Sequence, residues 1–199
     1  IPSGSLVLTD IGAEVDGYTA DVTRTYPQNG RFSPEQRAIY DAVLRAQAET
    51  MALMKPGARM GEVHEAAIRI LGEDLLKLGL VSRNERKQVR MYFPHGLGHH
   101  LGLRVHDVVD RGRPLEPGMI VTNEPGVYVR ADDVRANPVY LGLPANERGT
   151  IDAALARYAD IGVRIEDDVL ITAGVPRNLS AGAPRTVEEI EAWMQGGAP

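Results

Sequence analysis

The spacing of apolar residues predicts two long helices in the first half of the chain and a short helix near its end. Ser33-Pro34-Glu35-Gln36 is typical of a helix start, with a serine cap, a proline in the first turn and a glutamine three residues after the cap. That helix ends at Pro56-Gly57, and a second helix runs from about Gly61 to Leu78. Thr186 to Glu189 forms another capping box, which starts the last helix. The inward stripes are Ile39, Val43, Ala46, Met51 and Met54 in the first helix and Val63, Ala67, Ile70, Leu71 and Leu78 in the second.

Strand-like runs occupy the start of the chain and dominate its second half. Residues 5–10 (SLVLTD) predict a buried strand, and Asp16-Gly17 between extended runs predicts a two-residue hairpin turn. Residues 119–129 (MIVTNEPGVYV) and 162–172 (GVRIEDDVLIT) are the clearest strands. The polar, proline-containing connection between them carries a helical pattern around residues 152–157. This mixture of two-residue and 3.6-residue periods favours an α+β fold over a doubly wound sheet.

Composition narrows the class of protein. The chain has 199 residues, enough for a single domain with its own core, and we predict one domain over residues 1–199. The absence of cysteine excludes disulfides, thiolate metal sites and cysteine nucleophiles. The net charge of −5 argues against nucleic acid as a partner. No apolar run approaches the ~18 residues of a membrane helix, so we expect no membrane association and a cytoplasmic location.

The predicted hairpin brings two carboxylates together. A turn at Asp16-Gly17 places Gly12 opposite Asp21, and the alternation of side chains then puts Asp10 on the same face as Asp21. Asp10 and Asp21 become diagonal neighbours across the two strands, within reach of one another. Two like charges held together in this way become favourable when a cation lies between them. A solvated surface is the ordinary alternative for either aspartate taken alone.

Two further acids end or interrupt predicted strands. Glu124 closes the apolar run MIVTNE, and Glu166 shares a strand face with Arg164, opposite to the face of Val163 and Ile165. A charged pair among apolar residues requires partners if it points inward. The alternative is a polar face in contact with water, which antiparallel sheets commonly have.

Histidines concentrate in one glycine-rich stretch. Four of the five histidines fall in HGLGHHLGLRVH, namely His95, His99, His100 and His106. Glycines at every second or third position permit close backbone approach, so the loop is suited to bring imidazoles to a site. The fifth, His64, lies on a predicted helix and is interpreted as an ordinary structural residue. Carboxylates with a limited amount of imidazole and no sulfur suit Mn²⁺, Co²⁺ or Zn²⁺ without selecting among them.

The order and spacing of these blocks resemble the pita-bread metallopeptidases, the family of methionine aminopeptidase, Xaa-Pro aminopeptidase and prolidase. The matching blocks are LVLTDIGAEVDGYTADVTRTYP, HGLGHHLGLRVHD, EPGMIVTNEPGVYV and IGVRIEDD, so the resemblance extends from about Leu6 to Met194. It implies a pita-bread fold with a curved, mainly antiparallel sheet and flanking helices, and a catalytic domain over residues 1–199. GVRIEDD and HGLGHHLGLRVHD resemble the Xaa-Pro branch more than methionine aminopeptidase.

The resemblance also implies roles for particular residues. Asp10 would hold one of two divalent metals, Asp21 and Glu166 would bridge both, and His99 and Glu124 would complete the other. Mn²⁺ is the metal we expect. The remaining implied positions are His106 on the substrate carbonyl, Glu124 as proton carrier, His95 and Tyr128 in contact with the substrate, and Arg164 holding the ligands, while His100 is interpreted as structural.

Two questions about the function remain open at this stage. Xaa-Pro aminopeptidase and prolidase share all these ligands, and the long connection before IGVRIEDD resembles the bacterial aminopeptidases slightly more. Metal-free relatives with this fold act as binding modules or as creatinase-like hydrolases.

Related enzymes carry a further strand, helices and often an N-terminal domain before the block LVLTD. From this we expect a preceding segment or a companion fragment, and a homo-oligomer of the full-length protein.

Overall fold

The computed structural model describes residues 1–110 and 112–196. These residues contain nine short strands and seven helices. The strands are β1 Leu6–Ile11, β2 Glu14–Val15, β3 Tyr18–Thr19, β4 Val22–Pro27, β5 Ile120–Asn123, β6 Gly126–Tyr128, β7 Gly162–Arg164, β8 Asp167–Leu170 and β9 Arg177–Asn178. The helices are α1 Pro34–Met51, α2 Met60–Lys77, α3 Arg86–Val89, α4 Ala131–Ala136, α5 Pro138–Leu141, α6 Ala145–Tyr158 and α7 Val187–Met194.

The first four strands form one antiparallel ribbon. Asp16 and Gly17 have φ angles of 52° and 82°, which is the backbone of a two-residue type I′ turn. Val15 therefore faces Tyr18, as the sequence predicts, and β1 pairs with β4 in the same register. This register decides which side chains of the ribbon share a face.

The second ribbon is interrupted in the middle. Strands β5 and β6 pair with β8 and β7 respectively, so each long strand predicted from the sequence is broken into two. Pro125, which has no N–H to give to a ladder, stands at the first break. At the second, the N–H of Glu166 bonds the carbonyl of Thr23 at 3.1 Å instead of the partner strand. The register is the same on both sides of the interruption, so Glu124 lies opposite Glu166.

The helices confirm most of the sequence-based boundaries. Ser33 and Thr186 form the predicted capping boxes of α1 and α7. The connection between β6 and β7 differs from the expectation, because it contains three helices instead of one. Ile151 and Leu155 of α6 are fully buried, and this anchorage accounts for a longer helix than the local pattern indicates.

Helices α1 and α2 pack against each other, and α1 also contacts β5, β6 and β7. Ile39, Val43, Leu71, Val121 and Val163 belong to one buried core that joins helices and strands. The prediction of an α+β fold with antiparallel strand pairing is confirmed. Within the described ranges, none of the helices has the length and apolar character needed to cross a membrane.

Candidate functional site

The first hairpin holds Asp10 and Asp21 close together. Asp10 lies directly opposite Thr23 in the β1–β4 pair, and Asp21 precedes β4. A Cβ on Gly12 would lie 1.8 Å from the carbonyl oxygen of Ala20, so only glycine permits this approach of the two strands. The pKa of Asp21 is raised above its ordinary value, mainly by burial and in addition by a side-chain hydrogen bond with Asp10. The predicted diagonal pair of carboxylates is confirmed.

The histidine loop lies along β5 by backbone hydrogen bonds. Thr122 donates its N–H to the carbonyl of His99 at 2.8 Å, and Glu124 donates to the carbonyl of Leu97 at 2.8 Å. A Cβ on Gly98 would lie 2.1 Å from the carbonyl oxygen of Thr122. Gly98 is therefore required, because a side chain at this position would prevent the close approach of the loop to β5.

This docking brings one imidazole among the acids. Nε2 of His99 is 3.4 Å from Oδ2 of Asp21 and 3.6 Å from Oε1 of Glu124. Single donor atoms of Asp21, His99 and Glu166 all lie within 4.8 Å of one another. Glu124 adjoins this group through His99, and Asp10 adjoins it through Asp21. All five residues predicted as metal ligands thus lie in one place, although the carboxylate of Asp10 contacts Arg164.

Burial and neighbouring charges raise the pKa values of the two facing glutamates. Burial raises the pKa of Glu166 to about 8, and the nearby charge of Glu124 adds to this increase. Burial raises the pKa of Glu124 to about 7, and the charges of Asp21 and Asp10 add to it. Glu166 is 1% exposed. A divalent cation would favour the ionised form of every one of these groups. Four carboxylates and one imidazole match the oxygen-rich donor set of Mn²⁺, Co²⁺ or Zn²⁺, so the residues present fit a metal centre.

Arg164, Tyr128 and His95 form a chain of hydrogen bonds beside the acids. Nη1 of Arg164 donates to the hydroxyl of Tyr128 at 3.2 Å, and that hydroxyl is 2.9 Å from Nε2 of His95. Because the hydroxyl accepts from Arg164, its own hydrogen is free for Nε2 of His95, which then carries its proton on Nδ1, 2.8 Å from the carbonyl of Gly96. Burial lowers the pKa of His95, which agrees with a neutral ring. Both ring nitrogens of His95 are therefore already in use.

His106 and a neighbouring cavity lie at the open side of the cluster. The ring of His106 is exposed and packs edge-on against His99, with centroids 4.2 Å apart. A cavity of about 680 Å³ is lined by His99, His106 and also His64 of α2. Nδ1 of His64 is buried and has no hydrogen-bond partner among the described residues. This placement is not predictable from the sequence, because His64 is far from the histidine loop in the chain.

A buried polar network supports the cluster from behind, and sequence reasoning missed it. Asp168 accepts from the backbone N–H of Asp21 with both carboxylate oxygens, each at 3.3 Å. Asp167 is fully buried and pairs with the guanidinium of Arg24 at 2.7 Å. The five N–H groups of Arg24 reach the carbonyls of Thr23, Glu166, Ala183 and Pro184 and the carboxylate of Asp167. The signal in the sequence is the run of three acids in RIEDD, Glu166, Asp167 and Asp168. Asp167 and Asp168 directly follow a predicted metal ligand, and this position could have suggested that they support it.

Three curated relatives of the chain are named Xaa-Pro aminopeptidases. It is 43% identical over 206 residues to Xaa-Pro aminopeptidase 1 of Streptomyces coelicolor, covering 98% of this chain and 38% of the relative. It is 42% identical over 200 residues to the Xaa-Pro aminopeptidase of Escherichia coli, covering 96% of this chain and 41% of the relative. Xaa-Pro aminopeptidase 3 of Homo sapiens is 39% identical over 197 residues, with 96% and 35% covered. The chain therefore spans about two fifths of the length of these relatives.

Solved structures agree with the curated relatives. Aminopeptidase P from E. coli with the inhibitor Pro-Leu superposes with a TM-score of 0.81 at 40% identity, covering 98% of this chain and 42% of that one. Aminopeptidase PepP of Pseudomonas aeruginosa superposes with a TM-score of 0.82 at 39% identity, again covering 98% and 42%. These matches confirm the pita-bread fold predicted from the sequence blocks. Residues 1–173 match metallopeptidase family M24, and the chain belongs to that family.

Proposed function

We propose that the protein is a metal-dependent Xaa-Pro aminopeptidase, which removes an N-terminal residue that precedes proline. The observation that carries the proposal is the gathering of Asp21, His99 and Glu166 donor atoms within 4.8 Å, with Glu124 opposite Glu166. Relatives named Xaa-Pro aminopeptidase at about 40% identity support the substrate class.

Two divalent metals would be held by the five residues that the structure brings together. Asp10 would bind one metal, His99 and Glu124 the other, and Asp21 and Glu166 would bridge them. When bound, such a pair activates a water molecule for attack and stabilises negative charge on the carbonyl oxygen. Release of Arg164 from Asp10 would free that carboxylate for its metal, because the two side chains are now in contact.

The protein's own side chains would position the substrate and move the proton. His106, exposed and packed edge-on against His99, would donate a hydrogen bond to the scissile carbonyl. Glu124, whose side chain is 15% exposed, would carry the proton to the proline nitrogen, which must be protonated to leave. Tyr128 and His95 would form a wall of the substrate site. Since both nitrogens of His95 are in use, we expect it to contact the peptide through its ring and Arg164 to hold this wall in place.

The finer expectations from the sequence belong to this proposal. Mn²⁺ is the metal we expect, in a cytoplasmic protein that forms a homo-oligomer in its full-length form. Aminopeptidase action on longer peptides is preferred over dipeptidase action because of the named relatives. The presence of all five ligand residues in one cluster favours a metal enzyme over a metal-free binding module.

The test uses the whole protein and three substrates: an Xaa-Pro-Yaa tripeptide, an Xaa-Pro dipeptide and an Xaa-Ala-Yaa tripeptide. We expect cleavage of the first, loss of cleavage on chelation and recovery on addition of Mn²⁺. Faster turnover of the dipeptide would indicate a prolidase instead. Activity that survives thorough chelation would contradict the metal mechanism, and equal cleavage of Xaa-Ala-Yaa would contradict proline specificity.

A further inference from the structure

We propose that the hydroxyl of Thr23 is a positioning group that holds the Glu166 carboxylate in its metal-binding orientation. The inference deepens the proposed function, since it concerns the same metal centre. Thr23 lies on β4, is fully buried, and donates its hydroxyl to Oε2 of Glu166 at 2.6 Å. The side chain of Glu166 is itself 2% exposed, so water does not compete for this bond.

The hydrogen of this hydroxyl has only one available direction. Nε of Arg164 donates to the same oxygen at 3.0 Å and occupies a lone pair. An arginine has no acceptor, so the hydrogen of Thr23 cannot point back at it. A metal ligand must be ionised, and in that form of Glu166 the hydrogen is committed to Oε2. The 2.6 Å separation is that of a strong O–H···O hydrogen bond.

The bond selects one carboxylate oxygen and leaves the other. Among the described residues, Thr23 and the guanidinium of Arg164 both approach Oε2 of Glu166, at 2.6 and 4.0 Å, so Oε1 remains available for a cation. The backbone strengthens the arrangement, because the N–H of Glu166 donates to the carbonyl of Thr23 at 3.1 Å. Two bonds from one residue thus fix both the main chain and the rotation of the carboxylate.

The opposite glutamate has a similar partner. The hydroxyl of Thr122 accepts from the backbone N–H of His99 at 3.0 Å and donates to Oε1 of Glu124 at 3.2 Å. Each of the two facing glutamates is therefore held by a buried threonine whose lone pair is already occupied by an N–H donor. The same arrangement at both glutamates favours a role of the two threonines in orienting metal ligands over a role in packing alone.

The experiment compares Thr23→Val, which removes the hydroxyl at nearly constant shape, with Thr23→Ser, which keeps it. Thr25→Val is the matched control, because Thr25 is also fully buried on β4 but bonds only the backbone of Arg164. Binding of Mn²⁺ alone to the metal-free whole protein is measured by calorimetry. Loss of a group that orients a metal ligand weakens metal binding by about 10- to 100-fold, and we expect this for Thr23→Val only.

The outcomes separate this inference from the proposed function. Mn²⁺ affinity of Thr23→Val equal to that of the unaltered protein overturns the inference, and so does an equal loss in Thr23→Ser or in Thr25→Val. If Thr23→Val does not fold, Thr23→Ala is used in its place, because it also removes the hydroxyl but puts no methyl group next to Arg164 and Glu166. Because the readout is metal binding, a protein that binds Mn²⁺ as predicted but cleaves no Xaa-Pro peptide would refute the proposed function alone.

Discussion

Replacement of Glu166 by glutamine should have opposite effects on stability with and without metal. In the metal-free protein Glu166 is 1% exposed, and its burial, with Glu124 opposite, raises its pKa from 4.5 to about 8. The unfolded chain ionises this group near its ordinary pKa, so between those two values the folded protein binds more protons than the unfolded one. The free energy of unfolding therefore falls as the pH rises through this interval.

The difference between a pKa of 4.5 and one of about 8 corresponds to about 5 kcal/mol, which is an upper bound for one carboxylate. Part of this difference comes from the charge of Glu124, which also titrates at a raised pKa of about 7. We expect metal-free Glu166→Gln protein to be more stable than the unaltered protein by ~2 kcal/mol or more at about pH 8.5, and nearly equal at about pH 5. The amide carries no charge, and its oxygen can still accept from Thr23.

With metal bound, the unaltered protein should be more stable than Glu166→Gln. A cation that binds only the folded protein adds ~2.7 kcal/mol at a concentration of 100 times its Kd. Glu166→Gln should lose this gain, because the neutral amide is a poor ligand for a hard cation. Urea unfolding of the whole protein gives the free energy of unfolding in each of the four conditions, at the two pH values and in chelator or Mn²⁺. Glu116→Gln, at an exposed carboxylate paired with Arg113, should behave as the unaltered protein. A variant that is less stable than the unaltered protein in chelator at the higher pH, or equally stabilised by Mn²⁺, would refute the reasoning.

The remaining predictions concern the supports of the site. Gly98→Ala should displace the histidine loop and abolish Mn²⁺ binding measured by calorimetry, because its Cβ would lie 2.1 Å from a backbone oxygen, whereas Gly96→Ala should bind normally since nothing lies within 4 Å of that position. Arg24→Ala removes the fully buried one of the two arginines paired with Asp167 and leaves four carbonyls without their donor. It should lower the free energy of unfolding in urea by about 3 kcal/mol; a loss no greater than that of Arg37→Ala, at an exposed ion pair, would contradict it. His106→Ala should lower kcat on an Xaa-Pro-Yaa peptide by ~10²- to 10³-fold with unchanged metal content, and a matching loss of metal would assign it to the ligands.

Local sequence rules gave the elements with short-range causes. The hairpin register follows from Asp16-Gly17, and the start of α1 follows from the capping box at Ser33. Both are decided by a few neighbouring residues, so no tertiary information is needed. The same register argument placed Asp10 beside Asp21 correctly.

Long-range effects account for what the sequence did not show. The helices between β6 and β7 exceed the local pattern, because burial of Ile151 and Leu155 stabilises α6. Broken strands were not predicted either, although Pro125 was a visible reason for the first break. The opposition of Glu124 and Glu166 then follows from the pairing register of two strands about forty residues apart.

The sequence by itself determined the family, the antiparallel α+β class and the identity of the residues that gather at the centre, because motif order and turn chemistry are local properties. Only the tertiary structure decided which oxygen of Glu166 is held by Thr23, how Arg24 and Asp167 lie beneath the cluster, and that His64 reaches the same cavity as His106. The physical reason is that hydrogen-bond direction and burial depend on groups far apart in the chain, whose proximity no local pattern encodes.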